Sequence, residues 1–279
     1  MASSRLSAPA GASSSRVPPG PPLIDIRRVT LSRGDVKALR NLSWTMRRGE
    51  HWAVLGPNGS GKSTLVQMMQ GRLWPQEGSL HVLGRTFGED DVAELRTRIA
   101  WVGNEVEPEF PEWQTVAEIA ASGALGTLGV QFEAPRKAHR EAAARALRLL
   151  GIGHLAARPF NRLSQGQRRR AVIARALAMK PDLLLLDEAT SGLDPVARES
   201  FLKSLAKLVR PDSRPAILYI THHTEEILPS FTHVLLLRGG RVVAAGPKAK
   251  VLTPALLEQT FGARLRVTRR GGRVWLTAG

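Results

Sequence analysis

The sequence predicts an α/β fold: a mainly parallel sheet with crossover helices and a separate helical lobe. Three features predict it. Compact apolar runs at His51–Leu55, Leu183–Leu186 and Ala216–Ile220 alternate with helical segments, the pattern of parallel strands joined by crossovers. The Ala/Leu/Arg/Glu-rich segments Thr115–Gly123 and Ala134–Leu150 make a helical middle too long to be one crossover. A glycine-rich turn joins the 51–55 run to a helix over Ser63–Gly71.

The elements follow in order. Met1–Pro22 is Ser, Ala, Gly and Pro with Arg5 and Arg16, and reads as a disordered leader, residues 1–22. It has no apolar core for a secretory signal, and its lack of acids gives it some transit-peptide character. Order is expected from Leu23, with short strands at Leu23–Ile26 and Val29–Leu31. Leu42–Met46 is a strand with Leu42, Trp44 and Met46 on one face, and Ser79–Leu83 is another. In the middle, Pro135 suits the first turn of the Ala134–Leu150 helix. Arg158–Leu163 is a loop. Ser164 and Gln167 form an S-x-x-Q capping box that opens a helix running to Lys180, where Pro181 ends it. Pro195–Val209 is the helix between the two buried strands. Val234–Leu237 and Arg241–Ala245 flank Arg238-Gly239-Gly240 as a hairpin, and residues 263–279 form a basic extension with a second hairpin around Gly271-Gly272.

Composition sets the bounds. The chain has 279 residues, enough for one large domain or two small ones, and 43% of them are hydrophobic, which excludes whole-chain disorder. The absence of cysteine excludes disulfides, thiolate metal sites and a cysteine nucleophile, and fits a cytosolic protein. The longest apolar run, Ala216–Ile220, falls far short of the ~20 residues a membrane helix needs, so an integral membrane protein is not expected. The formal net charge is +16, which suits polyanionic ligands and equally suits plain solubility.

Two motifs point to chemistry. Gly56-Pro57-Asn58-Gly59-Ser60-Gly61-Lys62-Ser63, followed by Thr64, matches G-x-x-x-x-G-K-[ST] after a strand and before a helix. Its glycines let backbone N–H groups turn around phosphate oxygens. Lys62 reaches the β- and γ-phosphates, and the Ser63 hydroxyl is a Mg²⁺ ligand. Leu183–Leu186 ends in Asp187-Glu188, so a buried strand delivers both carboxylates to the ligand-binding edge of the sheet. Asp187 is expected to hold Mg²⁺, and Glu188 to face an attacking water as general base. Alone, the acid pair reads equally as a solvated strand end; beside the phosphate loop it reads as a site.

Leu163-Ser164-Gln165-Gly166-Gln167 makes the reading specific. With the phosphate loop, the Leu183–Glu188 strand, Ser191-Gly192-Leu193-Asp194 and Thr221-His222, all in order, the chain resembles the nucleotide-binding subunit of ATP-binding cassette (ABC) transporters over residues 23–262. The resemblance implies a P-loop NTPase core with an antiparallel β subdomain and an inserted helical lobe at about 105–165. It implies Mg²⁺-dependent ATP hydrolysis by two cassettes closed head to tail, most simply a homodimer, with each ATP between one phosphate loop and the other chain's signature. Ser164, Gln165, Gly166 and Gln167 then contact ATP in trans. His222 contacts the γ-phosphate, and Asp194 links the two sites. The implied partner is a separate membrane permease, with this chain at the cytoplasmic face of the membrane.

The departures matter. Gln165 stands where glycine is usual, and Ala189 replaces a proline. Asn104 stands where the Mg²⁺-contacting glutamine is expected. Arg33 stands near the usual adenine-stacking aromatic; its guanidinium can stack on a base or simply solvate a strand end. Asn104, Arg33 and His51-Trp52 add a weaker likeness to the bacterial molybdate-related branch. His222 and His223, as strand neighbours on opposite faces, are not expected to share a metal. Arg168-Arg169-Arg170 is expected on a solvated face. The acids Glu105, Glu107, Glu109, Glu112 and Glu118 are either a docking rim for basic permease loops or a solvated loop. A soluble ABC ATPase acting on nucleic acid, ribosomes or a repair complex is the competing reading; nucleic acid is not favoured, because the chain has one cassette and no heptad run.

Overall fold

The structure is a computed structural model describing residues 21–92, 94–103, 110–111, 113–131, 133–210 and 213–279. The strands are β1 (Ile24–Arg33), β2 (Val36–Met46), β3 (Trp52–Leu55), β4 (Glu77–Val82), β5 (Arg85–Thr86), β6 (Ile99–Val102), β7 (Leu183–Asp187), β8 (Ala216–Thr221), β9 (His233–Arg238), β10 (Arg241–Pro247), β11 (Leu265–Arg270) and β12 (Arg273–Ala278). The helices are α1 (Lys62–Met69), α2 (Leu95–Arg98), α3 (Val116–Ser122), α4 (Lys137–Leu149), α5 (Gln165–Ala178), α6 (Pro195–Leu208), α7 (Lys248–Val251) and α8 (Pro254–Phe261).

The central sheet has the order β10-β9-β3-β8-β7-β6. Its strands β9, β3, β8, β7 and β6 run parallel, and β10 is an antiparallel edge. Both faces of β3, β7 and β8 are buried, which is why these strands read as unbroken apolar runs. Leu184 and Leu186 of β7 enter a core shared with α3, α4, α5 and α6, while Leu183 and Leu185 face a second core containing α1. That second core is closed by an antiparallel sheet, β2-β1-β4-β5. Helix α1 therefore lies between two sheets, and the loop before it is held from both sides.

Two expectations need correction. The two short strands before Arg33 are one strand, β1, kinked where Arg28 takes φ 49° and the pairing register shifts. A bulge moves alternation out of step, so the pattern looks like two pieces. Helix α4 starts at Lys137, after an extended Arg136, so Pro135 precedes the helix and is not in its first turn. Helix α5 opens as expected: Ser164 caps it, and Gln167 completes the capping box. After α8, β11 and β12 pair antiparallel about Gly271-Gly272, and β12 lies against the 3₁₀ turn Thr224–Glu226. Among the described residues, no helix is long and apolar enough to cross a membrane.

Candidate nucleotide site

Strand β3 sits between β9 and β8 and delivers Gly56 at its C-terminal end. Two of the loop's glycines are needed for close approach. A Cβ on Gly56 would lie 2.2 Å from the Leu237 carbonyl oxygen, and one on Gly61 would lie 2.7 Å from that of Ala38. Gly61 also takes φ 102°, a region closed to most side chains. The loop thus threads between β9 and β2 with no room for a side chain at either position.

Lys62 folds back along this loop. Its Nζ donates to the carbonyls of Gly56 and Pro57 at 2.9 and 3.0 Å, and lies 4.0 Å from Glu188 Oε1. Burial pushes its pKa down, opposed by the nearby charges of Glu188 and Asp187. Glu188 Oε1 in turn lies 3.1 Å from His222 Nδ1. Strand pairing makes this possible: β7 and β8 are adjacent, Asp187 pairs with Ile220, and the Glu188 N–H donates to the Ile220 carbonyl at 3.0 Å. Beyond Asp187 the backbone turns at Glu188 with φ 48°, a left-handed conformation uncommon for a residue with a side chain.

Lys62, Asp187 and Glu188 line one open cleft of about 610 Å³; His222 does not line it and lies beside it against Glu188. Asn58, Gly59, Gly61, Lys62, Ser63 and Thr64 line it, together with Asp187, Glu188 and Arg33, which lies at the tip of the β1–β2 hairpin. Ser63 and Asp187 offer the oxygen donors a hard divalent cation takes. No group of three His, Cys, Asp or Glu suited to a metal occurs among the described residues. Lys37 and Arg40 also line the cleft, and sequence reasoning missed them. Arg40 is fixed there by its N–H, which donates to the Gly240 carbonyl at 2.8 Å. Only the packing of β2 across the loop reveals these cations; no local pattern marks them.

The signature segment lies elsewhere. None of Ser164, Gln165, Gly166 and Gln167 lines that cleft. The segment packs within its own chain on residues 192–197: a Cβ on Gly192 would lie 2.8 Å from Gln165 Nε2, and one on Gly166 3.3 Å from Ala197 Cβ. Asp194 caps α6, accepting from the N–H groups of Val196 and Ala197. The arginine run is not one solvated face. Arg169 is buried and donates to the Gly103 carbonyl at 2.8 Å, while Arg170 is half-buried against Gly166 and Ser200. Helix periodicity turns the middle residue inward. His222 and His223 lie beyond the end of β8, so strand alternation does not separate them. Their ring centroids are 4.1 Å apart, and they face different carboxylates, Glu188 and Glu225. Glu118 is engaged in the capping box of α3 with Thr115. Asn104, Glu105, Glu107, Glu109 and Glu112 lie outside the described residues.

The family model for ABC transporters matches residues 39–191. The chain belongs to the ABC transporter family. The cassette is 37% identical to the uncharacterized ABC transporter ATP-binding protein YlmA of Bacillus subtilis, over 91% of this chain and 97% of that protein. It is 33% identical to the ABC transporter ATP-binding protein ModF of Escherichia coli, over 78% of this chain and 45% of ModF. Among solved structures it resembles cbiO1 from Clostridium perfringens, part of the ABC transporter complex cbiONQ, with TM-score 0.71 and 28% identity, covering 85% of this chain and 93% of that one. The cassette is accordingly an ATPase of the transporter-powering class, with the P-loop NTPase fold.

Proposed function

We propose that two copies of this cassette close head to tail around two ATP molecules and that their hydrolysis powers a separate membrane permease. The observation that carries the dimer is the separation of the two half-sites: Lys62, Ser63, Asp187 and Glu188 share one cleft, and the signature does not reach it. The signature offers instead the capped N-terminus of α5, with Ser164 exposed, a ready partner for a γ-phosphate on another copy. The region before α3, with Trp113 79% exposed, belongs to the lobe that would meet the permease at the cytoplasmic face of the membrane.

The chemistry follows from the cleft. The phosphate-loop amides and Lys62 bind the β- and γ-phosphates, with Lys37 and Arg40 adding positive potential around the polyphosphate. Arg33 stacks on the base. Ser63 and Asp187, with Asn104, would hold Mg²⁺, which when bound would neutralise charge on the phosphates. Glu188 accepts a proton from water as the water oxygen attacks the γ-phosphorus; the bond to the β–γ bridging oxygen breaks, and ADP leaves. His222, held against Glu188, contacts the γ-phosphate.

Glu188→Gln removes the base and leaves the binding groups. Sized with and without ATP-Mg²⁺, this variant is expected as a dimer with nucleotide and a monomer without it. A variant that binds ATP yet stays monomeric under both conditions refutes the dimer.

A further inference from the structure

The ladder between β7 and β8 ends at Asp187 and Ile220, just short of the residues that meet above it. Beyond it one backbone bond remains, from the Glu188 N–H to the Ile220 carbonyl, and Thr221 still pairs with Leu55 of β3; after these residues the two segments leave the sheet, one through Ala189 to Thr190, the other through His222 to His223. A single buried carboxylate spans the gap. Glu226 is 1% exposed and sits in the 3₁₀ turn Thr224–Glu226. Thr190 donates its hydroxyl to Oε1 at 2.7 Å; Tyr219 and Thr221 donate theirs to Oε2 at 2.9 and 2.5 Å. All three donors are buried. The Thr221 oxygen also accepts the His223 N–H at 3.0 Å, so this hydroxyl fixes the backbone on the far side of His222.

A buried carboxylate is costly unless its oxygens are hydrogen-bonded, and here three buried hydroxyls satisfy them, which fixes the members of the cluster relative to one another. What its bonds do is tie the residue two after Glu188 to the residue one before His222. We propose that Glu226 is a positioning residue for ATP hydrolysis, holding Glu188 and His222 at their working separation from beyond the last backbone bond that joins their strands. The inference rests on the roles given above to Glu188 and His222. It is distinct from binding: Glu226 does not line the cleft that holds Lys62 and Ser63. Loss of the tie lets the general base drift relative to its partner, and displacement of about 1 Å at a reacting group costs up to about 100-fold in rate.

The test uses the full chain in steady-state ATP hydrolysis with Mg²⁺, alongside equilibrium binding of a fluorescent ATP analogue. Glu226→Gln is expected to lower kcat by about 100-fold while KM and analogue affinity stay within about twofold. Thr221→Val keeps the shape and removes one donor; it is expected to lower kcat about tenfold, and Thr221→Ser, which keeps the hydroxyl, to remain within about twofold of wild type. If Glu226→Gln does not fold, the Thr221 pair decides. Equal rates for Thr221→Val and Thr221→Ser, or a change in KM with kcat preserved, overturn the inference. Glu188→Gln in the same assay separates the two levels. If it is inactive while Thr221→Val is normal, the inference alone fails. If it turns over at the wild-type rate, the base assignment fails and the inference falls with it.

Discussion

Replacing His51 with alanine should remove about 3 kcal/mol of stability without touching the nucleotide cleft. The ring is fully buried at the start of β3. Its Nδ1 accepts the Ile217 N–H of β8 at 3.1 Å, and its Nε2 lies 2.7 Å from the Arg210 carbonyl. This geometry requires a neutral imidazole protonated on Nε2. Alanine leaves the Ile217 N–H without its acceptor inside the sheet, a loss of roughly 1–3 kcal/mol. Removing the buried ring adds at least about 1 kcal/mol of lost packing. The sum, about 3 kcal/mol, corresponds to a fall in Tm of roughly 6–12 °C. Asparagine discriminates between the two contributions. Its Oδ1 falls where Nδ1 lies, so His51→Asn should satisfy Ile217 and recover more than half of the loss. Urea unfolding of the three proteins measures this directly. Equal destabilisation by alanine and asparagine would refute the hydrogen-bond argument and leave only packing.

Two further outcomes follow from the cleft. Burial holds the Lys62 pKa below its ordinary 10.5, so in the window just below that value the unfolded chain binds the extra proton and nucleotide-free stability rises with pH relative to Lys62→Met; a constant difference between the two across that window, by urea unfolding, contradicts the assignment. Arg33→Ala should weaken ATP binding by roughly 5- to 100-fold and Arg33→Tyr should restore it, since base stacking is worth about 1–3 kcal/mol; unchanged affinity in Arg33→Ala would make Arg33 a solvated strand end.

The parts of the fold legible in the sequence are those set by local rules. The strands β3, β7 and β8 showed because both of their faces are buried, and α5 showed because Ser164 and Gln167 cap it. Other features depend on what lies across the molecule. Continuity of β1 through Arg28 is held by two flanking strands, which no local pattern reports. Arg169 is inward because Gly103 supplies a carbonyl 66 residues away. The motifs located the main groups of the cleft, yet the approach of Lys62 to Glu188 depends on the order of β3, β8 and β7 in the sheet. Lys37 and Arg40 carry no motif, because they reach the cleft only after β2 packs across the phosphate loop, and Glu226 shows its role only once Thr190, 36 residues away, packs beside it.

The left-handed backbone at Glu188 has an evolutionary consequence. Such a conformation costs a residue with a side chain on the order of 1–3 kcal/mol, and glycine would hold it without strain. Drift toward greater stability at position 188 therefore runs toward residues that cannot accept a proton from water. Under the general-base role proposed above, turnover and thermal robustness pull this one position in opposite directions, and a descendant of this chain that no longer needed to hydrolyse ATP would gain stability by the same substitution that removed the base.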